Sequence, residues 1–288
     1  MNNNYALEKR LNELDIDLHT RFTNTVLAIQ QILNNYQLIF PDFTDHTVLH
    51  SLSVIDFCNQ IIDKQLDKLN ADEIYCLLLG CYFHDTGMGI TLSDYEEFSK
   101  NIDFGNYFTT HSKDDLPEVI RSFHNEFSGQ FIKKYARFFE FPSEEHLFAI
   151  VQISRGHRKT NLLDEKEYPL NLKAPNGNTI CLPYLSALIR LADEIDVTAA
   201  RNSHAIYDIS KIKGEINIIE FMKHDAITGL DINEKDFVVH VKTDDNNLFD
   251  KLKTVTEKMQ KTLNQCREAV SKNTGFEITQ ELVRIQRD

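Results

Sequence analysis

Apolar residues recur at helical spacing along most of the first two hundred positions. Leu7, Leu11, Leu14, Leu18, Phe22, Val26, Ile29 and Leu33 fall on one side of a helix predicted over residues 6–36, because steps of three and four return to the same face. Pro41 breaks the chain, and Thr44 or Asp45 caps a second helix reaching about residue 63. Asn70-Ala71-Asp72-Glu73 has the form of a capping box. It opens the most apolar run, Ile74 to Phe83, which Gly87 and Gly89 stop. Residues 88–115 are polar and irregular and read as a long loop. Pro117 begins a helix to about residue 141, and Ser143 caps another that ends near Gly156. Residues 158–180 form a second loop, with Pro169, Pro175 and Asn176-Gly177. Pro183 then opens a helix apolar on nearly all sides, hence central.

After residue 204 the pattern changes. A strand at 205–209, a helix at 211–224, a hairpin of 226–232 and 236–243 across Asn233-Glu234, an amphipathic helix from Leu248 to Val270 and a strand at 276–286 follow in turn. That order, β-α-β-β-α-β, suits a small ferredoxin-like module. The predicted division is a helical domain at 1–203 and an α+β accessory module at 204–288.

Against this apolar background, single polar residues interrupt successive stripes. One further turn of the stripe Ile74, Leu77, Leu78, Cys81 lands on His84 and Asp85. Buried polar groups cost several kcal/mol unless satisfied, and a carboxylate at a helix C-terminus opposes the helix dipole. A bound cation would resolve both; so, for the isolated doublet, would a His–Asp hydrogen bond. The doublet has company. His50 is in line with Val54, Phe57 and Ile61, His124 with Ile120, Phe127 and Phe131, and His157 with Leu147, Ile150 and Ser154. Asp193 and Asp196 lie within the central helix. A satisfied core residue accounts for any one histidine. Five such insertions together supply imidazoles and carboxylates suited to iron, manganese, cobalt, nickel or zinc, and less strictly magnesium.

The 288 residues suffice for one large domain or two small ones. A net charge of -13 argues against a general nucleic-acid or anionic-membrane surface, though a local basic pocket remains compatible with it. Cys58, Cys76, Cys81, Cys181 and Cys266 form no CxxC pair and lie mostly in apolar runs, which suits a reducing, cytoplasmic setting. No signal-like N-terminus or membrane-length apolar stretch occurs.

The polar insertions carry a family likeness. His50, the His84-Asp85 doublet and Asp193 resemble the four-part signature of the HD superfamily of metal-dependent phosphohydrolases. His50-Ser51-x-x-Val54, His84-Asp85-Thr86-Gly87-Met88 and the segment Leu185 to Asp196 resemble its ligand-bearing contexts. Arg121-x-x-His124-x-x-x-Ser128 and Gly156-His157 resemble the two extra histidines of binuclear members. The likeness covers roughly residues 40–201. Phe43-Thr44-Asp45-His46 and the C-terminal module suggest bacterial HD domains of the type associated with Hsp90-like ATPase modules. The sequence departs from cyclic di-GMP phosphodiesterases, since Arg158-Lys159-Thr160 stands where their Gly-Tyr-Pro would follow His157. It also lacks the His-rich stretch of dNTP triphosphohydrolases and the doublet context of (p)ppGpp hydrolases.

The resemblance implies a mainly α, HD-type helical bundle with the α+β module appended, binding one or two divalent ions (Mn, Fe, Mg, Co, Ni or Zn). His50, His84, Asp85 and Asp193 would hold the first; Asp85, His124 and His157 would hold a second. The implied reaction is hydrolysis of a small phosphoester, by preference a nucleotide, through metal-activated water. Asp85 would be central to that chemistry, and Arg121, Arg158, Lys159 and Arg190 are candidate phosphate clamps or else solvated charges. Asp196 either orients a ligand histidine or pairs with Arg201, and His46 is a substrate or supporting contact or a surface residue. The remaining histidines, His19, His111, His146, His204, His224 and His240, read as structural or solvent-exposed. Residues 88–115 and 158–180 are expected to rim the pocket. Two further functions fit the same residues: a di-iron oxygenase, or a nucleotide sensor relaying to a partner protein. A homo-oligomer is compatible with either.

Overall fold

In the computed structural model, residues 6–33, 48–197 and 225–288 are described. The predicted cap at Thr44 or Asp45, His46, Arg201, His204, His224, the strand at 205–209 and the helix at 211–224 lie outside them. The helical part runs α1 (Ala6–Leu14), α2 (Ile16–Leu33), α3 (Val48–Ile62), α4 (Ala71–Phe83), α5 (Leu92–Phe98), α6 (Leu116–Lys134), α7 (Ala136–Phe139), α8 (Glu144–Gly156) and α9 (Leu182–Ile195). A two-residue hairpin, β1 (Leu172–Lys173) and β2 (Thr179–Ile180), precedes α9.

Two helices form the centre. Every residue from 72 to 88, spanning α4 and the turn after it, is buried, as is every residue from 181 to 192 at the start of α9. α4 packs against α1, α2, α3, α8 and α9. Asn70 opens α4 with the predicted capping box, its side chain accepting from Glu73 N while Glu73 reaches back to Asn70 N. Ser143 caps α8 as expected.

The predicted helix at 6–36 is two helices in the described part: Asp15 Oδ1 accepts from the N–H groups of Asp17 and Leu18 and so caps α2. The stretch 88–115 is not one long loop. Thr91 and Asp94 form a capping box that starts α5, and short 3-10 turns follow. The helix from Pro117 stops at Lys134, and α7 is a separate turn closed by Glu140 in the left-handed region (φ 49°).

The C-terminal part comprises β3 (Ile227–Ile232), β4 (Asp236–Val241), α10 (Asn246–Ser271) and β5 (Leu282–Arg287). β3 and β4 form the predicted hairpin, with Leu230 opposite Val239. The last strand starts later than predicted, at Leu282, and lies parallel to β4, with Val239 opposite Ile285. A ferredoxin-like order would place the module's first strand beside β4 and pair the last strand with it. Here β5 occupies that place, because α10 serves as the helical crossover a parallel pair requires. The module has its own small core of Ile227, Val239, Val241, Leu252 and Met259. Leu263, Cys266, Ala269 and Val270, farther along α10, instead join the bundle's core against α9. Among the described residues no helix is long and apolar enough to cross a membrane, and all five cysteines are buried and unpaired.

Candidate metal centre

Five helices or their ends deliver the predicted residues to one place. His50 comes from the first turn of α3, and His84 is the C-cap of α4 with Asp85 just beyond it. His124 follows a break in α6, where Phe123 leaves helical geometry (φ −124°, ψ 16°). His157 is the C-cap of α8, and Asp193 lies in the last turn of α9. Gly87 lets α6 pass over the doublet: a Cβ there would sit 2.2 Å from His124 O. Ser128 ties the two segments, donating to His84 O (2.6 Å) and accepting from Gly87 N (2.8 Å).

The four imidazoles are oriented alike. Nδ1 of His84 faces Cys81 O at 2.7 Å, that of His124 faces Arg121 O at 2.8 Å, and that of His157 faces Ser154 O at 2.5 Å. His50 Nδ1 meets Asp196 Oδ2 at 2.6 Å, and Ser53 Oγ donates to the other oxygen of Asp196. Carbonyls and carboxylates only accept, so Nδ1 of His50, His84 and His157 carries the proton and Nε2 keeps a lone pair. His124 Nδ1 faces both the Arg121 carbonyl at 2.8 Å and the donor Nη1 of Arg158 at 3.1 Å, and it takes the same tautomer where the carbonyl contact governs. Those lone pairs converge. His50 Nε2 lies 3.1 Å from His84 Nε2, and His124 Nε2 lies 2.8 Å from His157 Nε2.

Asp85 stands between the two pairs. Its Oδ2 is 3.3 Å from His84 Nε2 and 3.5 Å from His50 Nε2, while its Oδ1 is 3.2 Å from His124 Nε2 and 4.0 Å from His157 Nε2. Asp193 Oδ1 completes the first group, 3.2 Å from His50 Nε2 and 3.9 Å from His84 Nε2. Two sets, His50–His84–Asp85 and Asp85–His124–His157, could each hold a metal ion.

The electrostatics favour ligand forms. Burial, with repulsion from His84 and His124, holds His157 well below the usual imidazole range. Burial and the Arg158 guanidinium lower His124 despite the opposing pull of Asp85. Burial alone would raise the Asp193 carboxyl, but the His50, His157 and His84 rings around it, whenever one takes up a second proton, hold it well below its ordinary value. Neutral imidazoles and ionised carboxylates are the forms that bind metal. Two neutral Nε2 lone pairs facing each other at hydrogen-bond distance repel unless a cation lies among them or one ring carries a proton there. The donor set, nitrogen with carboxylate oxygen, fits a borderline divalent metal.

The family HD-CE matches residues 40–270. The chain belongs to the HD-CE family. The match takes in all six converging side chains and extends to the end of α10, so this HD-type domain and its C-terminal helix fall within one family unit. No curated protein and no solved structure matches the chain.

The second group opens on a cavity of about 910 Å³. Asp85, His124, His157 and Asp193 form part of its wall. Arg158, Lys159 and Arg190 line it as well; Arg121 does not, and its guanidinium is engaged by Glu118 at 2.7 and 2.8 Å. Arg190 is buried and donates to the carbonyls of Gly156, Arg158 and Thr160, bracing the turn that carries His157. Asp196 orients His50. His146, predicted to be structural, is buried and pairs with Asp72 at 2.8 Å. Of the two stretches expected to rim the pocket, residues 158–163 do so, whereas no residue of 88–115 lines it.

The remaining wall was not foreseen. Lys258, Lys261, Thr262 and Gln265 reach the cavity from α10. They occupy the polar side of an amphipathic helix, where the sequence pattern shows only solvated residues. Lys258 pairs with Glu194 at 2.9 Å and so connects α10 to the residue after Asp193.

Proposed function

We propose that this HD-CE protein is a metal-dependent phosphohydrolase acting on a nucleotide or similar small phosphoester. The observation that carries this reading is the convergence of two pairs of imidazole lone pairs on the two oxygens of Asp85. His50, His84, Asp85 and Asp193 would hold one divalent ion, and Asp85, His124 and His157 a second. When bound, such ions lower the pKa of water towards about 7 and neutralise charge on phosphoryl oxygens.

The chain's own groups supply the rest. Asp196 fixes the His50 ring, and backbone carbonyls fix the other three, so the donors are positioned before any ligand arrives. Arg158 and Lys159 sit beside His157 on the cavity wall, where cations suit phosphate oxygens. In a chain of net charge -13, the cavity is lined by five basic side chains, Arg158, Lys159, Arg190, Lys258 and Lys261, against four acidic ones, Asp85, Asp193, Glu194 and Glu268. With Asp85 and Asp193 engaged by metal, the basic surplus favours an anionic substrate.

The test is a screen of nucleotides, cyclic dinucleotides and generic phosphodiesters with Mn, Fe, Co, Ni, Zn and Mg. The wild-type chain should release phosphate or nucleotide with at least one pairing, and His84→Ala should abolish it while remaining folded. An unchanged rate in His84→Ala would contradict the reading. Oxygen consumption in place of phosphate release would move the chain to the di-iron oxygenase alternative.

A further inference from the structure

The wall contributed by α10 is the feature of the cavity that the ligand set does not explain. Lys261 and Gln265 are exposed to the cavity and make no hydrogen bond or ion pair among the described residues. Lys159, on the bundle side, is likewise without a partner there. Arg190 adds a second, independent sign. It is buried, lines the same cavity, and all its partners are carbonyls and the Thr160 hydroxyl, with no carboxylate among the described residues. A buried guanidinium without a counter-charge is costly, and an anion in the cavity would supply one. Leu263, Cys266, Ala269 and Val270 hold α10 in the core against α9, and Glu194 adds contacts to Lys258 and to the Thr262 hydroxyl at 3.4 Å. The helix is therefore a fixed wall of the cavity.

We propose that α10 completes the substrate site, with Lys261 and Gln265 binding an anionic group remote from the one held at the metal centre. This rests on the phosphohydrolase reading and deepens it. The substrate class becomes a compound with two or more phosphates. A single phosphate at the metal centre would leave most of a cavity of about 910 Å³, and its cations on α10, unused.

The test uses the full chain loaded with Mn²⁺ and isothermal titration with orthophosphate and with tripolyphosphate. Lys261→Ala should weaken tripolyphosphate binding about tenfold and leave orthophosphate binding unchanged. Lys253→Ala, a control on the same helix outside the cavity and paired with Asp250, should change neither. Tripolyphosphate binding that is equal in wild type and Lys261→Ala would overturn the role of α10 while leaving the phosphohydrolase reading intact. Loss of orthophosphate and tripolyphosphate binding alike in Lys261→Ala would also overturn it, because the residue would then act at the metal-proximal anion. Failure of the loaded wild-type chain to bind either anion would overturn both.

Discussion

A buried aspartate stands at the start of helix α4 and another just beyond its end, and the two places have opposite characters. At the N-terminus, Asp72 accepts from His146 Nε2 (2.8 Å), Asn176 Nδ2 (2.9 Å) and Asn178 Nδ2 (2.7 Å), and His146 Nδ1 meets Ser143 Oγ. A carboxylate there is also favoured by the helix dipole. Every group has its complement, and the result is a clasp holding the β1–β2 hairpin and α8 to α4. At the C-terminus, Asp85 opposes the dipole and faces the Nε2 atoms of four imidazoles. Histidine and aspartate are buried in both places. The direction of the lone pairs separates a closed structural network from one that could hold a cation.

That contrast can be broken by substitution. The largest effect is expected at the open end: Asp85→Ala should lower phosphoester turnover at least ~10³-fold, read by phosphate release, with thermal stability of the metal-free protein nearly unchanged. The closed end should behave in reverse. His146→Ala leaves a buried carboxylate short of a partner and should cost about 3–5 kcal/mol, measured by urea denaturation, with metal content unaltered. If His146→Ala lost metal instead, the two ends would not be independent. Asp196→Ala, which frees the His50 ring, should weaken metal affinity roughly 10–100-fold, measured by equilibrium dialysis.

The ends should also separate by pH in the metal-free protein. His124 and His157 have folded pKa values below the unfolded imidazole value of 6.5. The unfolded chain therefore binds more protons as the pH falls, so their contribution is complete above about 6.5 and lost below it. Burial would raise the Asp72 carboxyl, but its hydrogen bonds from His146, Asn176 and Asn178 bring it to about 2, against an ordinary 3.8. Its contribution is present above 3.8 and lost as the pH falls towards 2. Stability followed from pH 8 to pH 3 should show a decline starting near 6.5. Asp85→Ala should keep most of that decline, whereas a His124→Ala, His157→Ala double variant should flatten it. The smallest effect is expected at Arg121. It is paired with Glu118 outside the cavity, and Arg121→Ala should change KM less than about twofold, within the range of an exposed pair.

Much of this was legible because helical periodicity is a property of sequence. A histidine that replaces a leucine on a stripe must share the fate of the stripe, so His50, His84, His124 and His157 could be placed inside before any fold was known. Their convergence was legible only through likeness to the HD signature, since periodicity gives a face and not a neighbour. Side-chain competition for backbone groups escaped the pattern. Asp15 stops α1 by capping α2, and Arg190 spends its donors on three carbonyls. Sites built across distant segments escaped it too. Asp72 and His146 meet through the packing of α4 on α8, and Lys261 lines the cavity only because α10 packs on α9. The position of β5 beside β4 likewise depends on the crossover and not on the strand's own residues.

The most direct test of the central claim is the number of metal ions the chain binds. The full-length protein should be dialysed against micromolar Mn²⁺ and its metal content read by inductively coupled plasma mass spectrometry. Two ions per chain in the wild type, falling to one in the His124→Ala, His157→Ala double variant, is the expected result. One ion or none in the wild type would contradict a pair of sites joined by Asp85.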